Sequence, residues 1–107
     1  MARYTDETQA AEDGFRITHE PEAQRYAVLQ TSETGDRLVG EAPHTLIGGT
    51  TIHFDHTVVL PELRGTGLSG LLAHHALTGE AVGERRIVAS CSFIAGYLER
   101  HPELITR

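Results

Sequence analysis

A strand-like run that stops at a glycine-rich turn and passes directly into a helix-like run constrains this chain more than any other feature. Residues 50–60 are rich in Thr, Val and Ile, Leu60-Pro61-Glu62-Leu63-Arg64-Gly65-Thr66-Gly67 makes the turn, and Leu68, Leu71 and Leu72 recur at helical spacing. Gly65 and Gly67 allow positive φ and a close approach of backbone to a ligand, and the amides of a first helical turn have no intrahelical acceptor. Such a turn gathers N–H groups, partial positive charge and the Arg64 side chain at one point, which suits an anion such as a pyrophosphate. The plainer reading is an ordinary tight strand-to-helix turn, and local pattern alone does not separate the two.

Bulk properties narrow the classes. A chain of 107 residues holds one core and little more. Its net charge of −6, with nine scattered basic residues that are all Arg, leaves no basic stripe, so nucleic acid is not an expected partner. No apolar run approaches the ~20 residues needed to span a bilayer, and the opening segment lacks the apolar core of a signal peptide. The single cysteine, Cys91, cannot form an internal disulfide, which agrees with a reducing compartment. A cytoplasmic protein without membrane contact is the expectation.

Along the chain, residues 1–14 are polar and acidic and read as a flexible leader, and residues 15–107 as a single domain. Residues 15–19 and 24–31 alternate like strands, joined by a turn at Pro21, and a third strand starts near Arg37. Pro43 and the Gly48-Gly49 pair predict a bulge or loop between residues 40 and 49. Residues 50–60 predict one long strand and residues 67–82 a helix with Leu68, Leu71, Leu72, Ala76 and Leu77 inward and Gly83 as its cap. A short strand at residues 86–90 ends at Cys91, and Ser92 is expected to cap a last helix carrying Phe93, Ile94, Tyr97 and Leu98 that stops before Pro102. This order is α+β, with a mostly antiparallel sheet, one local parallel crossover and two main helices.

A right-handed crossover would bring the glycine turn and Cys91 to neighbouring strand ends, where a long cofactor could rest its pyrophosphate on the turn and reach toward the thiol. The run from His56 to Gly67, followed by Cys91-Ser92-Phe93, Tyr97 and His101-Pro102-Glu103, resembles the small single-domain branch of the GNAT superfamily of acyl-CoA-dependent N-acetyltransferases. The resemblance covers roughly residues 15–104. It implies a splayed parallel strand pair holding acetyl-CoA, with backbone groups of Val58, Val59 and Leu60 on the pantetheine arm. Amides from Arg64, Gly65, Thr66, Gly67, Leu68 and Ser69 would then hold the pyrophosphate.

Two positions depart from the family pattern. Glu62 stands where the turn usually opens with Gln or Arg, and Val58 follows His56-Thr57 where many members of the branch carry Glu. A carboxylate base is therefore not assigned there.

An amine with a pKa near ~10.4 must lose a proton before it attacks a thioester, and His56 is the nearest candidate base. Tyr97 stands where the superfamily often has the tyrosine that protonates the departing thiolate. Cys91 offers a relay in which the thiol accepts the acetyl group first, as the resemblance to Cys-containing relatives implies. A thiol with the usual pKa near ~8.5 is only a few per cent ionised at neutral pH, so the relay needs activation by His56 or by the helix N-terminus at Ser92.

Each role has a plainer alternative: Cys91 as a small buried hydrophobe, Tyr97 as helix packing, and His56 as a structural hydrogen-bonding residue. His53-x-x-His56 and His74-His75 have the wrong spacing for a shared metal, so no metal site is assigned. The expected activity is acetyl transfer from acetyl-CoA to an acceptor amine, on a small molecule or a protein. The rivals are a non-catalytic acyl-CoA-binding regulatory module and a small interaction domain without cofactor. Exposed strand edges allow a homodimer.

Overall fold

The computed structural model describes residues 3–104, so the first two residues of the expected leader and the last three of the expected domain lie outside it. Among the described residues six strands form one mixed sheet: β1 (Phe15–Glu20), β2 (Arg25–Ser32), β3 (Gly35–Ile47), β4 (Thr51–Phe54), β5 (Val58–Val59) and β6 (Arg86–Ala89). The order is β1-β2-β3-β4-β6, with β5 paired to β3. All pairs are antiparallel except β4 with β6, which run parallel from Thr51 opposite Arg86 to Phe54 opposite Ala89. Among the described residues three α-helices accompany the sheet: α1 (Glu7–Glu12), α2 (Leu68–Leu77) and α3 (Ser92–Arg100). The α+β class with a single parallel crossover is as the sequence predicts.

The long strand expected at residues 50–60 is instead broken in two. Along β3, only Ala42 and Pro43 separate the partners of Phe54 and Val58, whereas Asp55, His56 and Thr57 separate those two residues themselves. Three residues face two, which is a bulge. Proline supplies the physical reason, because Pro43 has no N–H to donate to a ladder. Residues 40–49, where a bulge or loop was expected, contain no break before the turn at Gly48, and β3 runs unbroken to Ile47. Its own irregularity lies earlier, where the register with β2 shifts between Val28 and Leu29.

The core lies between the sheet and α2 and α3. Leu68, Leu72, Ala73, Ala76 and Leu77 of α2 are buried with Tyr26, Val28, Ile52, Phe54, Ile94 and Leu98. Leu71, expected inward, is only partly buried. The helix ends at Leu77 rather than near Val82, with Thr78 as C-cap and its hydroxyl donating to the His74 carbonyl at 2.7 Å. The Tyr26 hydroxyl draws the chain out of helix by accepting from the Ala81 amide at 3.1 Å. Ser92 is not the cap of α3, since Cys91 holds that position and makes no side-chain cap bond.

The acidic leader is not without structure. Asp6 caps α1 by accepting from the Gln9 amide at 2.8 Å, and Tyr4 and Ala10 join the core. Tyr4 packs edge-on against Phe15 with ring centroids 5.7 Å apart, and its hydroxyl donates to Asp13 at 2.5 Å.

Candidate active site

Past the bulge, the two parallel neighbours separate. Strand β5 stays with β3 through Gly40 and Glu41, while the last link between β4 and the following chain is the Ser90 amide donating to Phe54 at 3.1 Å. Gly40 permits this course, because a Cβ there would lie 3.0 Å from the Val58 carbonyl oxygen. The result is a gap in backbone pairing, with β5 on one side and Cys91 on the other. Across its base the Cys91 thiol donates to the Thr57 hydroxyl at 3.6 Å.

The three expected strand residues differ in what they can offer. The Leu60 amide already donates to Val39 at 2.9 Å, so by strand alternation the N–H and C=O of Val59 face the opposite edge, toward the gap. The Val58 side chain is half exposed and that of Val59 is buried.

Beyond β5, a single 3-10 turn (Pro61–Leu63) leads to the glycine loop. Gly65 and Gly67 have φ of +81° and +95°, the left-handed region that favours glycine. Thr66 ties the loop internally, its hydroxyl donating to the Leu63 carbonyl at 2.6 Å. Gly67 is the N-cap of α2 and provides no side-chain cap, so the Ser69 and Gly70 amides of the first turn keep no intrahelical acceptor. The exposed Arg64 has no ion-pair partner among the described residues, whereas Glu62 lies 3.6 Å from Arg37, which offsets the anion the sequence places before the loop.

An open groove of about 620 Å³ begins at this loop. Gly67, Gly70, Leu71 and His74 line it from α2, Tyr97 from α3, and Tyr4 to Glu7 from the N-terminal segment. The Tyr4 amide donates to the Thr66 carbonyl at 2.8 Å, and Glu7 meets His75 at 2.9 Å, so this segment is fastened to both loop and helix. Tyr97 stacks on His101 with centroids 4.3 Å apart, and its hydroxyl lies 3.0 Å from His74 Nδ1. Burial raises the Tyr97 pKa above the ordinary phenol value, with Arg100 opposing and Glu103 reinforcing the shift.

Among the described residues no hydrogen bond or ion pair joins the three expected catalytic residues to one another. Tyr97 lines the groove, Cys91 lies at the base of the gap, and His56 sits in the bulge, half exposed, with Nδ1 3.6 Å from Asp55. His56 makes no hydrogen bond or ion pair with Cys91 or Tyr97 among the described residues. His53, on β4, instead meets the Ser90 hydroxyl at 2.8 Å. Cys91 is buried, at 9 % exposure.

Sequence reasoning weighed His74 only as a metal ligand, and expected neither Thr57 nor residues 4–7 at the site. For His74 the signal existed, since 67, 70, 71 and 74 follow the i, i+3, i+4, i+7 spacing of one helix face. No comparable signal tied residues 4–7 to the groove. No helix of the described residues is long and apolar enough to cross a membrane.

A family model described as GCN5-related N-acetyl-transferase matches residues 15–106. No curated protein matches the chain.

Proposed function

The chain belongs to the GCN5-related N-acetyltransferase family, and from that premise we propose that it transfers an acetyl group from acetyl-CoA to an acceptor amine. The observation that carries this reading is the junction of the uncapped, glycine-entered N-terminus of α2 with a groove that also contains Tyr97.

The residues present fit acetyl-CoA. The amides of Gly65, Gly67, Ser69 and Gly70, with Arg64, which has no ion-pair partner among the described residues, suit its phosphates, and the backbone of Val59, facing the gap, suits the amides of its pantetheine arm. When bound, acetyl-CoA supplies the activated acyl group as a thioester. Tyr97 keeps its proton at neutral pH because burial disfavours the phenolate, and so it can serve as the acid. His74 fixes the direction of that hydroxyl. His56, beside Asp55 and half exposed, accepts a proton from the arriving amine in this reading, directly or through water.

Direct attack by the amine is favoured over an acetyl-Cys91 relay. The Cys91 thiol is buried and directed to Thr57, and no basic side chain hydrogen-bonds it among the described residues. The open surface around the bulge suits either a small amine or a protein amine as acceptor.

The test is calorimetric titration with acetyl-CoA and with CoA, followed by an acetylation assay on polyamine and lysine-peptide acceptors. Saturable binding that Gly65→Glu abolishes, together with turnover, supports the proposal. Binding without turnover on any amine would leave an acyl-CoA-binding module, and no binding would remove both readings. Intact mass after incubation with acetyl-CoA tests the relay, because an acetyl group retained on Cys91 would overturn direct transfer.

A further inference from the structure

Among the described residues, three buried side-chain nitrogens lack a hydrogen-bond partner: Nδ1 of His19, Nδ1 of His44 and Nε of Arg85. All three residues line one cavity of about 450 Å³ between β1, β3 and the link from α2 to β6. It shares no lining residue with the groove at the glycine loop. Unpaired buried polar atoms are costly, and three on the walls of one cavity call for a shared polar occupant.

The walls are firmly built. His44 is 4 % exposed, and its ring packs edge-on against Phe54. His19 stacks on Tyr26 with centroids 4.4 Å apart, and the Tyr26 hydroxyl is held by the Ala81 amide. Arg85 uses one terminal nitrogen on the Ala81 carbonyl at 2.9 Å and has no ion-pair partner among the described residues, so its charge is uncompensated. That charge argues against a bound cation. The carboxylate among the lining residues, Glu80, is 82 % exposed at the side chain and stands 3.4 Å from His19 Nδ1 without hydrogen-bonding it.

We propose that this cavity binds a compact oxyanion, a carboxylate or a tetrahedral sulfate- or phosphate-like group, received by His19, His44 and Arg85. The two imidazoles face each other with Nε2 atoms 3.3 Å apart, so only one proton fits between them. When the pair carries a single positive charge, that proton is shared and both Nδ1 atoms become donors, which together with Arg85 Nε–H gives three donors for one anion.

Proton uptake follows from this arrangement. Burial, and then the neighbouring His19 and Arg85, hold the His44 pKa below its usual value. The other titratable groups close to the pair are Glu80, Tyr26 and, against the Tyr26 ring edge, His75 with its partner Glu7. Anion binding therefore draws in a proton, and affinity rises as pH falls.

The experiment is titration of the full chain with sulfate and, separately, acetate, read by the histidine Cε1–H resonances, with chloride at matched ionic strength as control. Saturable shifts of His19 and His44, at least threefold tighter near about pH 6 than near about pH 8, support the site. Saturation by sulfate alone assigns a tetrahedral ligand, and by acetate alone a carboxylate. Arg85→Gln should weaken binding about tenfold, the loss of one charge-assisted hydrogen bond. Glu80→Gln, on the exposed rim, should tighten it and serves if Arg85→Gln does not fold. Non-saturating shifts that chloride reproduces would mean that water alone fills the cavity and would overturn the proposal. Acetyl-CoA affinity unchanged by saturating sulfate would keep this site separate from the proposed active site.

Discussion

His74 Nδ1 and the Tyr97 hydroxyl lie 3.0 Å apart, joining α2 to α3 along the groove that starts at the glycine loop. This pair makes the proposed acid testable. Tyr97→Phe keeps the ring and its stacking on His101 but removes the proton, so kcat should fall about 10²-fold with little change in KM for acetyl-CoA. His74→Ala should lower kcat less. Because burial raises the Tyr97 pKa, the wild-type rate should not decline through loss of this proton below about pH 10. Steady-state kinetics across pH checks both statements.

Gly70 offers a test that separates folding from binding. A Cβ there meets nothing within 4 Å, and the residue lies inside a helix, so Gly70→Ala should stabilise the protein by about 0.5–1 kcal/mol. Gly70 also lines the groove, so Gly70→Leu should fold while weakening acetyl-CoA binding. Thermal melts and calorimetry on the two variants give the answer.

Gly79 is fixed for a packing reason. A Cβ at this position would lie 2.9 Å from the His75 carbonyl oxygen and would also strike the Tyr26 hydroxyl. Gly79→Ala should cost about 1–3 kcal/mol in urea unfolding, because Tyr26 must move and release the Ala81 amide.

His44 predicts a pH dependence of stability. Its folded pKa is lowered, chiefly by burial, so the unfolded chain takes up this proton first as pH falls below about 6.5. Stability from this group is present above that value and is lost as pH drops toward the folded pKa. His44→Gln should flatten the profile between about pH 7 and pH 5 relative to wild type, measured by denaturant unfolding.

Most of the architecture was legible because it rests on local chemistry. Alternation marked β1 and β2, and the strand, glycine loop and helix from residue 58 to residue 77 appear in the predicted order. What escaped was tertiary. Pro43 was read as a disturbance of its own strand, yet it is the facing chain that bulges, at Asp55 to Thr57. Gly83 was taken as the end of α2, but Tyr26, distant in sequence, captures the Ala81 amide and ends the helix sooner. At the candidate site, the glycine loop and Tyr97 line one groove, whereas Cys91 meets Thr57, the neighbour of His56, a contact set by how the strands splay and so not legible in local pattern.

The bond from the Tyr4 amide to the Thr66 carbonyl has a consequence for the loop's orientation. A trans peptide points its C=O and N–H in opposite directions, so fastening the Thr66 oxygen also aims the Gly67 N–H away from Tyr4. One rotation that a glycine loop would otherwise have to give up on meeting an anion is already frozen by a residue outside the family's matched segment. A fragment starting at Phe15 would keep every residue of the turn and lose that preset direction, and its complexes should form with a larger entropic penalty.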